Sequence, residues 1–230
     1  MEETSQLFAR RAQDKNLELV VTVDPQIQNL VRGDAARLRH VVMNLVSNAI
    51  KFTMRGFVVI RVRQRAREQG RIQLTIEVSD TGIGIRPELH ASLFAANNPA
   101  DSTGARKYGS TGRGMAVSRQ LLEQMGGRIW VESEFGRGST FIVDLKLEES
   151  TEPCLSGVEL SLDPGRRLLI VDDSATSREA LQSQLAGLGM VIELAADGEA
   201  ALELIDDARQ ALDKAFELGR LIVIHKVADV

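Results

Sequence analysis

The chain has 230 residues, 43% of them hydrophobic, and a net charge of −4. That length suits one large domain or two small ones. The charge argues against a general nucleic-acid binder or a polybasic membrane anchor, and no apolar run approaches the ~20 residues that span a bilayer.

Residues 17–31 read as a short strand, a turn near Asp24-Pro25 and an extended segment. Asp34 is placed to cap a helix running to about Phe52. Phe57–Arg63 and Arg71–Ser79 alternate like strands, and the intervening AREQG reads as a hairpin turn. SDTGIGI follows as a Gly-rich loop, then a short helix over Arg86–Phe94. Residues 95–114 are polar, Gly-rich and aperiodic, hence a long loop. Met115–Met125 reads as a helix stopped by Gly126-Gly127. Arg128–Glu134 and Ser139–Lys146 are strands joined by a turn at EFGRG. The composition then shifts. Residues 148–165, with Pro153, Pro164 and several Ser and Thr, read as a linker. RRLLIVDDS is an apolar strand ending in paired carboxylates. A helix at Ala175–Leu188, a strand at Val191–Ala195, a helix from Gly198 and the strand LIVI at 221–224 complete a βαβαβ order, the signature of a parallel sheet. The single cysteine, Cys154, forms no internal disulfide and suits a reducing compartment.

The expected 34–52 helix carries a polar stripe. At about 100° per residue, Asn44, Asn48 and Lys51 fall within roughly 60° of one another. Arg37 and His40 extend the stripe, while Leu38, Val41, Val42, Leu45, Ala49 and Phe52 occupy the sheet-facing arc. A solvated helix face explains the cations well and the asparagines poorly, because exposed faces favour Glu, Lys and Gln. Amides plus a cation suit a hydrated Mg²⁺ and nucleotide phosphates. In SDTGIGI, Asp80 ends a strand and can accept a hydrogen bond from an exocyclic amine. Gly82 and Gly84 let backbone approach a flat ring, although the motif alone is equally a plain turn. Gly109, Gly112 and Gly114 make a loop running into a helix N-terminus, which suits phosphate or serves as a simple hinge.

The ordered series N-x-x-x-N-x-x-K, D-x-G-x-G, G-x-T-G-x-G and G-x-G-S-T-F resembles the ATP-binding catalytic domain of sensor histidine kinases, relatives of gyrase B and MutL. RLRHVVMNLVSNAIKFT and GGRIWVESEFGRGSTF carry the likeness most specifically, over about residues 16–146. It implies a two-layer α/β sandwich with ATP under a mobile lid, over residues 16–147. It also implies Asn48 as Mg²⁺ ligand, Asn44 and Lys51 on phosphate, and Asp80 on adenine, with Ile83, Met115 and Thr140 in the same site. Arg106, Lys107, Tyr108, Gly109, Thr111, Gly112 and Gly114 would form the lid and its hinge. ATP-hydrolysing branches of the superfamily carry a water-activating Glu four residues before the metal-binding Asn. Here that position is Asn44, and an amide is no general base. The implied chemistry is phosphoryl transfer to a histidine.

The three histidines lack the His-Glu or His-Asp context of a phosphoacceptor. The acceptor is therefore expected on a dimerisation domain outside this stretch, with residues 1–15 as the tail of its helix or a linker. Further expected partners are a downstream response regulator or phosphotransfer protein. MEETSQLFARRAQDK lacks a signal-peptide core, so the stretch is expected in the cytoplasm without membrane contact, even where a parent is anchored in an inner membrane. The lid departs from the family. Phe94 is followed by Ala95, Ala96 and Asn97 where a second aromatic is usual, and G-L-G-L reads Gly112-Arg113-Gly114-Met115. These changes make a degenerate module that docks on and modulates another sensor kinase the alternative.

LLIVDDS resembles the first strand of a response-regulator receiver, a flavodoxin-like fold, and Asp172 and Asp173 suit Mg²⁺ there. An acidic helix cap is the plainer reading. His225 stands where a receiver carries its phosphoaccepting Asp, so residues 166–230 are expected to be an incomplete receiver that is not phosphorylated.

Overall fold

The computed structural model describes residues 2–24, 27, 31–90, 92–95, 114–150, 167–186, 189–215 and 221–225. It divides into two compact units, Met1–Cys154 and Leu155–Val230.

In the first unit, Asp34 caps the long helix, its carboxylate accepting from Arg37 N at 2.9 Å. Its side chain thereby satisfies one of the orphan N–H groups of the first turn. The helix, α2 (Ala35–Phe52), buries Val41, Val42, Leu45, Val46, Ala49 and Ile50. It ends at Thr53, whose N–H and Oγ1 both donate to Ala49 O, at 3.0 and 2.7 Å. Helix α1 (Glu2–Gln13) precedes it and adds Phe8 and Ala12 to the same core.

The strands are β1 (Leu17–Val23), β2 (Val31–Arg32), β3 (Gly56–Glu68), β4 (Arg71–Asp80), β5 (Arg128–Glu134) and β6 (Gly138–Glu149). They make a six-stranded sheet in the order β1-β3-β4-β6-β2, with β5 also on β6. β1 joins β3 in parallel, and the other pairs are antiparallel. Alternation sorts each strand's side chains onto two faces. Val58, Ile60, Ile72, Ile76, Val78, Val143 and Leu145 pack with the helices in one core. Arg63, Gln73, Glu77 and Asp144 take the other face, where Asp144 accepts from Gln73 Nε2 at 3.0 Å and Arg128 Nη2 at 2.8 Å. Helices on one face of a sheet make this unit a two-layer α/β sandwich.

Several elements differ from their sequence reading. Ala66, Arg67 and Glu68 belong to β3 rather than to a turn. A bulge between Gln64 and Ala66 adjusts the register, and Gln69 and Gly70, with φ of 51° and 74°, close the hairpin alone. Two left-handed residues match the twist of the flanking strands. The helix expected over 86–94 is α3 (Pro87–His90) only. There His90 Nε2 and Ser92 Oγ donate to Ile85 O and Leu89 O, competing with helix continuation. β6 runs to Glu149, where β2 pairs with it and Gly70 O accepts Glu149 N at 2.8 Å, so residues 148 and 149 are strand rather than linker. Phe52, expected toward the sheet, is 36% exposed. The Gly82–Ile83 backbone abuts that end of α2 instead. Helix α4 (Gly114–Gln124) completes the unit, and Gly126, at φ 71°, follows it.

The second unit contains β7 (Arg167–Val171), α5 (Ala175–Leu185), β8 (Val191–Ala195), α6 (Gly198–Ala215) and β9 (Leu221–His225). The three strands are parallel in the order β8-β7-β9. Leu168–Val171 is buried throughout, as a strand covered on both faces must be. Ser174 caps α5, accepting from Ser177 N at 3.2 Å. The helix ends at Leu185, short of the expected Leu188, which lies outside the described residues.

Candidate functional site

The polar stripe of α2 faces the first turns of α4. Asn44 donates through Nδ2 to Ser118 Oγ at 2.9 Å and to Met115 Sδ at 3.6 Å. Asn48 Nδ2 points at the same sulfur, 3.4 Å away. Each amide thus spends its donor side on α4. Gly114 allows the close approach, because a Cβ there would lie 2.5 Å from Asn44 Oδ1.

Lys51 comes one turn after Asn48. Its Nζ is buried without a hydrogen-bond partner among the described residues and lies 5.0 Å from the Phe52 ring centroid. Desolvation lowers its pKa. A buried, unsatisfied ammonium is costly, and an anion would relieve the cost.

Asp80 ends the central strand β4, between Val58 of β3 and Ser139 of β6. Its Oδ1 accepts from Gly82 N at 2.8 Å. Burial pushes its pKa up, and N–H groups of Gly82 and Ser139 partly oppose that. At Gly82 a Cβ would lie 2.6 Å from Phe52 O, and at Gly84, with φ of 66°, 2.1 Å from Glu134 O. Ile83 is 53% exposed. Its N–H approaches Phe52 O at 3.4 Å, and its carbonyl accepts from Gly136 N at 2.8 Å. The Gly-rich loop is therefore held between the end of α2 and the β5–β6 turn.

Thr140 does not join this group. It donates to Ser79 Oγ at 3.0 Å, on the sheet face opposite Asp80. The pleat is the reason: Ser139, the register partner of Asp80, takes the site side and shares a 3.0 Å hydrogen bond with Ser133 Oγ. Arg106, Lys107, Tyr108, Gly109, Thr111 and Gly112 lie outside the described residues. Sequence reasoning missed Ser118, although its i, i+3 spacing from Met115 puts both on one helix face. It also missed Lys15, whose partners lie far along the chain.

A groove of about 730 Å³ lined by Phe8, Arg11, Arg39, His40 and Met43 reaches Asn44. In the second unit, Asp172 is buried and its Oδ1 accepts from Ser174 N at 2.8 Å. Asp173 is exposed, and His225 pairs in register with Val171. Among the described residues, no group of three or more His, Cys, Asp or Glu could hold a metal ion, and no helix is long and apolar enough to cross a membrane.

Residues 33–149 match the family described as histidine kinase-, DNA gyrase B-, and HSP90-like ATPase. The chain belongs to that family. Sensor protein GacS of Pseudomonas syringae pv. syringae is 38% identical over 190 residues, covering 83% of this chain and 21% of GacS. Sensor histidine kinase AruS of Pseudomonas aeruginosa is 37% identical over 214 residues, covering 91% of this chain and 21% of AruS, so the match extends well into the second unit. The chain thus spans about a fifth of the length of these relatives. The structure of full-length ShkA in complex with AMPPNP superposes with a TM-score of 0.69 at 28% identity, over 88% of this chain and 40% of that one. The first unit is a histidine-kinase-type ATPase catalytic domain.

Proposed function

We propose that this chain is the ATP-binding catalytic core of a two-component hybrid sensor histidine kinase. It moves the γ-phosphoryl of ATP to a histidine of a dimerisation domain, from which a response regulator or phosphotransfer protein is served. A histidine nitrogen attacks Pγ, the bond from Pγ to the bridging oxygen breaks, and ADP leaves. The observation that carries this reading is the buried Lys51 ammonium, without an acceptor among the described residues, on the same helix face as two amides. A phosphate supplies the missing acceptor, as ATP in a domain of this family would.

The roles follow from the groups each residue has left to offer. Asn48 gives its Nδ2 to Met115, which leaves Oδ1 for a divalent cation. Asn48 Oδ1 would hold Mg²⁺ there, and the cation would supply positive charge to offset that of the phosphates. Lys51 and Asn44 face the phosphates. Asp80 accepts from the adenine amine, Gly82 and Gly84 keep the floor flat, and exposed Ile83 covers the ring. Arg106, Lys107, Tyr108, Gly109, Thr111 and Gly112, with the hinge at Gly114, are the lid. Asn44 supplies no base for water, which supports transfer over hydrolysis. We assign residues 16–147 to this domain and 166–230 to an incomplete receiver. The parallel order β8-β7-β9 and the paired Asp172 and Asp173 support the latter. His225 at the phosphoacceptor position leaves it unphosphorylated.

The test mixes the chain with Mg²⁺, γ-labelled ATP and an isolated dimerisation domain. Acid-labile phosphohistidine on that domain is expected. Binding of Mg-ATP without transfer would favour a module that docks on another kinase. Phosphate release without any acceptor would favour an ATP-driven clamp.

A further inference from the structure

We propose that Lys15 is a positioning residue for the nucleotide site, holding the turn of α2 that carries Lys51. The inference rests on the nucleotide reading above.

The chain reverses after α1. Lys15 N donates to Ala12 O at 3.1 Å, Asn16 N to Gln13 O at 2.8 Å, and Asn16 is left-handed at φ 52°. This fixes the backbone from which the Lys15 side chain projects. Its Nζ donates to Ile50 O at 2.8 Å, Lys51 O at 3.1 Å and Thr53 O at 3.3 Å. The last carbonyls of a helix lack intrahelical partners and carry partial negative charge. One ammonium with three donors meets three such acceptors here.

The remaining carbonyl in that turn faces the other way. Phe52 O is approached by Ile83 N at 3.4 Å, and Gly82 lies so close that a Cβ would sit 2.6 Å away. The carbonyls from Ile50 to Thr53 are thus divided between Lys15 and the Asp80–Gly84 loop. A shift of this turn moves the Lys51 side chain and the floor under the base together. Phe8 and Ala12 anchor α1 in the core, so the clasp also ties α1 to the site. A cap that only stabilised α2 would leave nucleotide affinity unchanged in folded protein.

The experiment uses the full chain as wild type, Lys15→Met and Lys15→Arg. Mg-ATP affinity is measured by calorimetry at a temperature where circular dichroism shows each protein folded. Exchange of the Ile83 amide is measured without nucleotide. Lys15→Met is expected to bind about tenfold more weakly, with faster Ile83 exchange, and Lys15→Arg to recover most of both. A lower melting temperature with wild-type affinity and wild-type Ile83 exchange would overturn the proposal. Should Lys15→Met not fold, Lys15→Gln, which keeps donors without charge, is read the same way. Wild type that binds no nucleotide would overturn the nucleotide reading, and Ile83 exchange would then decide the clasp alone.

Discussion

Asn44 donates to Ser118 Oγ at 2.9 Å, joining α2 to α4 where a water-activating residue would otherwise stand. Ser118 is fully buried, so the acceptor of this hydrogen bond is shielded from water, while Asn44 is half-buried. Asn44 Oδ1 also occupies the space that Gly114 leaves open. The amide is therefore part of the packing as well as of the polar stripe. Asn44→Glu would add a methylene and a charge against Gly114. The expected result is a loss of about 1–3 kcal/mol of stability, from overpacking, with a gain in ATP hydrolysis in the molecules that stay folded, because a carboxylate can serve as a base for water. Denaturant unfolding and a phosphate-release assay check the two parts.

Asp80→Asn separates stability from binding. The carboxyl has its pKa raised by burial, so the fold favours the protonated form. Its contribution to stability is present below the unfolded pKa and is lost as pH rises through the folded one. The charged form thus weakens the fold at neutral pH, and an amide of the same shape removes that burden. The variant should melt higher than wild type at pH 7 and equal to it or lower in acid. Its affinity for Mg-ATP should fall tenfold or more, about 1.4 kcal/mol, because the base loses its acceptor. Wild-type affinity should itself decline on the acid side at a higher pH than an ordinary aspartate dictates. Melting curves and calorimetry across pH test all three.

Lys51→Met follows the same logic with the opposite charge. Desolvation lowers the Lys51 pKa, so its stability contribution is present above the unfolded pKa and lost as pH falls through the folded one. At neutral pH the desolvated ammonium weakens the nucleotide-free fold. Methionine should raise the melting temperature of the nucleotide-free protein and abolish the further rise that Mg-ATP brings to wild type. A variant that melts lower would contradict this.

Asn48→Asp tests the metal assignment. A carboxylate cannot donate to Met115 Sδ, and it adds negative charge beside the phosphates. Mg-ATP affinity should fall about tenfold. Metal-free nucleotide should lose more than Mg-ATP does, because a cation offsets the added charge. Titrations with and without chelator distinguish the two.

Gly138→Ala probes the floor of the site. Gly138 has φ of 119°, and a Cβ would lie 2.0 Å from Asp80 O. Both strain and overlap act on backbone. A loss of about 1–3 kcal/mol or more is expected, with nucleotide binding lost alongside. Gly70→Ala, also at positive φ but with open space around it, is the control for strain alone.

The parts of this fold that could be read from sequence are those specified locally. The Asp34 cap, the length of α2 and its polar stripe all follow from residues a few positions apart. The Asp80 loop could be read because only glycine tolerates two backbone approaches so close. What could not be read depends on distant partners. Nothing near Leu17 signals parallel pairing with Gly56, and nothing near Lys15 signals carbonyls beyond residue 49. Gln69 is not a residue type that marks a left-handed turn, so the hairpin looked longer than it is. The motif groups Thr140 with Asp80, whereas pleat parity in the strand register separates them. Phe52 had the right periodicity and lost its place to the glycine loop.

Asp80 belongs to a strand flanked on both sides along its length, by β3 and by β6. Asn44, Asn48 and Lys51 lie instead on a helix face beside the start of α4. Central strands are the last elements to open in local unfolding, and a terminal helix turn, such as the start of α4 against which the two amides rest, opens earlier. The end of the site proposed to read the base should thus persist in partly opened states of the molecule that have already lost the end proposed to read the phosphates. A free nucleoside would then find a receptive surface before a triphosphate does, and encounter would begin at adenine.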